Sequence, residues 1–348
     1  MTRRSAADQA RAGAATPVPR APRILGAVAS WGIGCGLLAF LVSILDLRVV
    51  LGALARARLQ DLLAGLVLFL GIRILAAWQL TVGVRTHGSS LSLWRAFVVN
   101  AIAGFYNLFF PGGLVGGAVR WYKLSKDSGR PAEVLGTILF LRLVNTGFSL
   151  ACGLAAVLVD NPLGMRNVLW VALTIAAGSA ALYCLVSTEA AAWVESRPSR
   201  ARSEVAALVW GGLRSVLRAL RQYRALPRRP AFVILSVPVM TQMLGAFMFF
   251  LTARALGHSL PVLVWIWIVP LVHLIQWVPA SVSGLGLREG VLVLLLPRYG
   301  VPPADALAFS ILIFGYTVLL GLSGGILELK ELASRSAKRD LDLAGIRS

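Results

Sequence analysis

Two short stretches carry residue types suited to holding an anion: NLFFPGGLVGGAVR (107–120) and PASVSGLGLRE (279–289). In each, a proline is followed by glycines and then by an arginine near the start of a following helix. Glycine permits a tight turn and lets a ligand approach backbone N–H groups. The helix N-terminus after such a turn attracts negative charge. Arginine adds a fixed charge and a two-pronged donor that fits phosphate. Each tip therefore reads as half of a phosphate cradle. Arg120 and Arg288 would contact the phosphate, and the N–H groups of Gly112, Gly113, Gly116, Gly117, Ser283, Gly284 and Gly286 would complete it. The competing reading is that these glycines only allow close helix packing in a membrane. Two arginine-bearing tips in one chain favour a binding site.

Other polar groups lie inside apolar runs, where charge is costly and usually paired or functional. Arg142 sits mid-run with Asn145 one turn on, and Glu289 is the acidic partner in reach of such a depth. Two readings of Arg142 stay open: an ion pair with Glu289, or a ligand contact. Arg73 suits snorkelling to the interface, and Glu328 stands at the edge of the last run. Asn100, Asn107, His273 and Gln276 approach the tips; each reads first as an interhelical hydrogen bond, with Asn107 also a candidate ligand contact. The sequence has no GxxxxGK[ST] loop, no HExxH and no clustered Cys/His, so neither a nucleotide motor nor a metal is expected. Cys35, Cys152 and Cys184 all lie in apolar stretches without paired spacing. No catalytic residue and no cofactor is expected.

The elements that would carry these tips follow from composition. The 348 residues are 57% apolar and 14% charged, against about 45–50% and about 25% in a soluble domain. The excess falls in runs of about 20 residues, enough to cross about 30 Å of hydrocarbon as helix. These runs are 24–45, 62–84, 94–110, 134–159, 168–186, 231–253, 261–278, 286–297 and 305–328. A net charge of +19 can signal nucleic acid, but the basic residues sit between the apolar runs, the pattern of cytoplasmic loops. The segments 1–23 (a disordered basic tail), 120–130, 187–230 and 331–348 are accordingly expected in the cytoplasm. Segment 47–60 reads as an interfacial helix, and 205–223 as an amphipathic helix within the linker 187–230.

Parity then constrains the path. If 94–110 crossed fully, the basic loop 120–130 would lie outside. A hairpin dipping in from the cytoplasm, turning at 111–117 and returning through 118–124, removes the conflict. The same logic makes 261–278 and 286–297 a hairpin from the opposite face. The expected fold is an all-α polytopic integral membrane protein with a single domain over 24–330. It has about six full transmembrane helices and two re-entrant hairpins in an inverted repeat, with halves near 62–159 and 231–328. Eight full spans is the alternative.

The stretches NLFFPGGLVGGAVRWYKL (107–124), FLRLVN (140–145), VPASVSGLGLREG (278–290) and GLSGG (321–325) resemble, in order and spacing, the transmembrane, flippase-like region of the lysylphosphatidylglycerol synthase family. Ala118 and Leu141 stand where members often carry acids. The full-length bacterial members continue into a soluble aminoacyl-transferase domain, which is not expected after the last span here, so the synthase activity does not carry over. The resemblance implies translocation of an anionic phospholipid, or of a polyprenyl-phosphate or hopanoid-type lipid, between leaflets of the cell's inner membrane, with both termini cytoplasmic. The partners implied are the lipid substrate, membrane lipids and a separate lipid-synthesising enzyme; nucleic acid is not among them. A lipid-modifying transferase and a scaffold for a lipid-biosynthesis partner are the alternative functions.

Overall fold

Helix ends and glycines decide how this chain assembles. The structure, a computed structural model, describes residues 51–52, 54–110, 114–160, 226–275 and 286–345. The apolar runs 24–45 and 168–186, and almost all of the linker 187–230, lie outside these. Two quartets of helices follow one another. The first is α1 (Leu59–Arg85), α2 (Leu93–Phe109), α3 (Leu114–Ser128) and α4 (Pro131–Asp160). The second is α5 (Arg228–Ala255), α6 (Val262–Ile275), α7 (Leu287–Leu295), a 3-10 turn (Leu296–Tyr299) and α8 (Pro303–Gly345). Each quartet runs long, short, short, long: 27, 17, 15 and 30 residues, then 28, 14, 9 and 43. No strand occurs among the described residues. The four long helices are long and apolar enough to cross a membrane. The chain is a membrane protein.

Local signals explain several boundaries. Asp61 in the first turn of α1 and Arg85 in its last complement the helix dipole. The Ser92 hydroxyl caps α2 by accepting from the Arg95 N–H at 3.2 Å. α8 continues to Gly345, through most of the segment 331–348 expected in the cytoplasm. The residues there are good helix formers, and Glu328 and Glu331 are held by ion pairs.

The quartets pack in a matched way. α1 lies against α5, α2 against α8, and α6 against α4. Exchanging the quartets returns the first contact to itself and swaps the other two. α1 and α5 run antiparallel: Asp61 pairs with Arg254, while Gln79 donates to the Ile234 carbonyl at 3.0 Å. The exchange axis is therefore perpendicular to the long helices.

α2 and α3 form a hairpin whose ends meet. Arg95 Nε reaches Asp127 at 2.7 Å, and both belong to a charged hub with α8: Arg95 also pairs with Glu331, and Lys123 Nζ lies 2.5 Å from Glu328 and 2.8 Å from Glu331. The opposite end is closed by Asp61–Arg254 and by His258–Asp305 at 2.7 Å.

Small residues let the layers touch. A Cβ on Gly324 would come within 2.1 Å of the Ala101 carbonyl oxygen, and one on Gly321 within 2.4 Å of Leu108. Gly153 of α4 likewise seats Pro270 of α6. Gly324→Val therefore forces α8 off α2. It is expected to cost about 2 kcal/mol or more, read as a lowered thermal midpoint in detergent. Gly315→Ala, whose added carbon meets nothing within 4 Å, leaves the midpoint unchanged or raises it.

Candidate functional site

Three arginines from three helices converge. Arg73 lies ~21 Å along α1 and Arg142 ~17 Å along α4, at 1.5 Å per residue, so both sit far from the helix ends. Arg120 is nearly two turns into α3. Together they line a cavity of about 390 Å³, with Asn100 and Asn107 from α2, Gly117 from α3, and Pro270 and His273 from α6. Arg73 and Arg142 act electrostatically on Arg120, and Arg73 on His273. Arg73 also stands over the Phe69 ring, 4.6 Å from its centre.

No aspartate or glutamate lines this cavity among the described residues. Residues 276–285, which follow α6 and lie outside the described set, contain no acidic residue either. Among the described residues, the buried Nε–H groups of Arg73 and Arg120 and the buried Oδ1 of Asn100 have no hydrogen-bond partner. A buried donor or acceptor left unmatched costs about 1–3 kcal/mol, more when charged. Among the described residues the cavity thus presents two unmatched guanidinium Nε–H donors, from Arg73 and Arg120, and one unmatched acceptor, Asn100 Oδ1.

The wall is stiffened by amide groups. Gln79 Nε2 donates to Asn145 Oδ1 at 2.9 Å, and Asn145 Nδ2 returns the bond at 3.0 Å. Ser149 Oγ donates to Gln242 at 2.6 Å, and Gln242 donates to the Ile266 carbonyl at 2.9 Å. α5 thereby ties α4 to α6 on either side of the site.

The arrangement differs from the sequence expectation in four places. First, Asn107, Gly117, Arg120 and Arg142 line one cavity, and Arg288 does not join them. Arg288 lies buried at the start of α7, its Nε donating to Ser310 at 2.8 Å and its guanidinium paired with the adjacent Glu289. Second, the contacts of Glu289 are Arg288, Ser310 and the Gly286 N–H at 2.7 Å, rather than Arg142. A neighbour on its own helix turn neutralises it more cheaply than a residue on another helix. Third, α3 begins at Leu114, so Gly116 and Gly117 are helical rather than part of a turn. The Gly116 N–H is taken by Asn107 Oδ1 at 3.0 Å, and a Cβ there would strike that side chain at 2.2 Å. Fourth, Arg73 faces the cavity and does not snorkel. Gly112, Gly113, Ser283, Gly284 and Gln276 lie outside the described residues.

The sequence reading did not single out Gln79, Thr146 or Ser149. A signal for one of these was present: Ser149 follows Arg142 and Asn145 at helical spacing along one face of an apolar helix.

With the geometry in hand, the comparison with known families is decisive. A model of the lysylphosphatidylglycerol synthase TM region matches residues 24–325. The chain belongs to this family. The match covers both quartets and the runs 24–45 and 168–186, and ends within α8. It supports a lipid-related role in a membrane. No curated protein and no solved structure matches the chain.

The buried Arg288–Glu289 pair generates a stability test. Glu289→Gln leaves the guanidinium uncompensated and is expected to cost about 3–5 kcal/mol in detergent unfolding. Arg288→Met/Glu289→Leu, which removes both charges, is expected to return most of that loss.

Proposed function

We propose that the chain moves an anionic lipid headgroup between leaflets, with the arginine-lined cavity as its transit site. The observation that carries this reading is the convergence of Arg73, Arg120 and Arg142, from three helices, on one cavity far from the ends of membrane-crossing helices. Buried positive charge without a lining carboxylate is expensive, and a phosphate-bearing headgroup relieves it. Family membership supports a lipid as the cargo.

The helix pairs α2–α3 and α6–α7 act in this reading as re-entrant hairpins. At 1.5 Å per residue, α2 and α3 reach ~25 and ~22 Å, short of about 30 Å of hydrocarbon. Together with 24–45 and 168–186, the four long helices make six spans. The antiparallel α1–α5 contact makes the quartets an inverted repeat. The hub end, with Arg85, Arg95, Lys123, Lys126 and Arg130 near it, faces the cytoplasm by the positive-inside rule, in the cell's inner membrane. Rocking of one quartet against the other exposes the cavity to each side in turn. A separate enzyme would supply the lipid. Transport rather than headgroup modification is favoured because His273 is the sole acid-base group besides arginine lining the cavity among the described residues, and a transferase needs carboxylates there.

The test is leaflet accessibility of a labelled anionic phospholipid in proteoliposomes. Wild type should outpace protein-free vesicles, Arg73→Gln and Arg120→Gln should each slow transfer at least about tenfold, and Arg298→Gln, an exposed change distant from the cavity, should not. Wild type no faster than protein-free vesicles would refute the reading.

A further inference from the structure

We infer that the group this cavity takes is a phosphate bearing two negative charges, a phosphomonoester or diphosphate, rather than a singly charged phosphodiester or an aminoacylated headgroup. This rests on the cavity being an anion site, as proposed above, and adds which anion. Arg73 and Arg120 set the charge that must be met. Among the described residues neither is in an ion pair, and the Nε–H of each is buried without a partner.

Two buried guanidinium charges have one energetic requirement: an equal opposite charge in the same space. A phosphodiester brings one unit and leaves the second arginine uncompensated at low dielectric, where like charges repel strongly. A headgroup carrying an added ammonium brings still less and meets no carboxylate on the described lining. A phosphomonoester carries about −1.5 to −2 at neutral pH and has enough oxygens to accept from both Nε–H groups. Asn100 Oδ1, an acceptor left unmatched in the wall, suits a hydroxyl beside the phosphate. The cavity, at about 390 Å³, is of the size that holds such a group. Leu141 lines the cavity as a hydrocarbon, and no carboxylate on the described lining would welcome a cationic headgroup.

The same chemistry is offered by a lipid headgroup and by a soluble phosphate ester, so the experiment separates them. Purified full-length protein in neutral detergent at pH 8 is titrated with dioctanoyl phosphatidic acid, dioctanoyl phosphatidylglycerol and glycerol 3-phosphate, read by calorimetry. The expected result is phosphatidic acid at least tenfold tighter than phosphatidylglycerol, with the preference lost in Arg73→Gln and in Arg120→Gln. Phosphatidylglycerol binding as tightly as phosphatidic acid, and still dependent on Arg120, overturns the two-charge assignment and leaves the anion site standing. Glycerol 3-phosphate matching phosphatidic acid upholds the two-charge assignment and overturns the lipid cargo. No binding of any of the three overturns both. A thermal midpoint within two degrees of wild type, set by convention, qualifies each variant as folded; if a glutamine variant misses it, the lysine variant at the same position replaces it, keeping charge while losing the Nε–H.

Discussion

A lysine ammonium held between two carboxylates fixes the geometry on which the cavity depends. Lys123 is buried against Glu328 and Glu331, and Glu331 also holds Arg95, which reaches Asp127. This network joins the start of α2, the end of α3 and the middle of α8. α3 is far less apolar than its neighbours, with Arg120, Lys123, Lys126 and Asp127 in fifteen residues. Such a helix docks among apolar helices only if its charges find partners. Pinning its C-terminal end at the hub aims its N-terminal half inward, and Asn107 holds that half by the Gly116 N–H. Arg120 is carried to depth as a result.

The molecule treats buried arginine in two opposite ways. Arg288 is neutralised on the spot by Glu289 and Ser310, and the Glu289 carboxylate also caps α7 by accepting from Gly286. That cluster is self-sufficient and anchors the second short helix to α8. Arg73 and Arg120 face a shared void with no carboxylate on its described lining. The contrast sets a charge pair closed within the second quartet against two guanidinium groups facing a void that both quartets line. The two quartets share an order of elements and a packing scheme, yet differ in the charge each leaves unmet. Near-symmetric scaffolds can diverge in this way because packing constrains shape, whereas a single acidic neighbour decides whether an arginine is structural.

Much was legible without coordinates. Long apolar runs identify 62–84, 134–159, 231–253 and 305–328 as crossing helices, because a helix of that length in hydrocarbon satisfies its own backbone. The four long helices of the structure cover them. The basic stretch 120–130 pointed to a hairpin, and α2 and α3 do return to one end. The reason is partly different from the one read in sequence: Arg120 faces the cavity, Lys123 sits in the hub, and Arg130 donates to the His87 carbonyl. Lys123 and Arg130 are bound by tertiary contacts, whereas Arg120 faces the cavity.

What composition and spacing determined by themselves is the class of the protein: helical, membrane-embedded, organised as two similar blocks, with arginine and glycine near each break. These follow from one-dimensional properties, hydropathy over a helix length and the conformational range of glycine. Which arginines share a space was decided only by the tertiary structure. Arg73, Arg120 and Arg142 are separated by up to 69 positions in the chain and meet because α1, α3 and α4 pack around one void. Arg288 was withdrawn from that group by the residue beside it. Local sequence sets where a charge can lie along a helix. Helix packing and the nearest counter-charge set whether it remains available to a ligand.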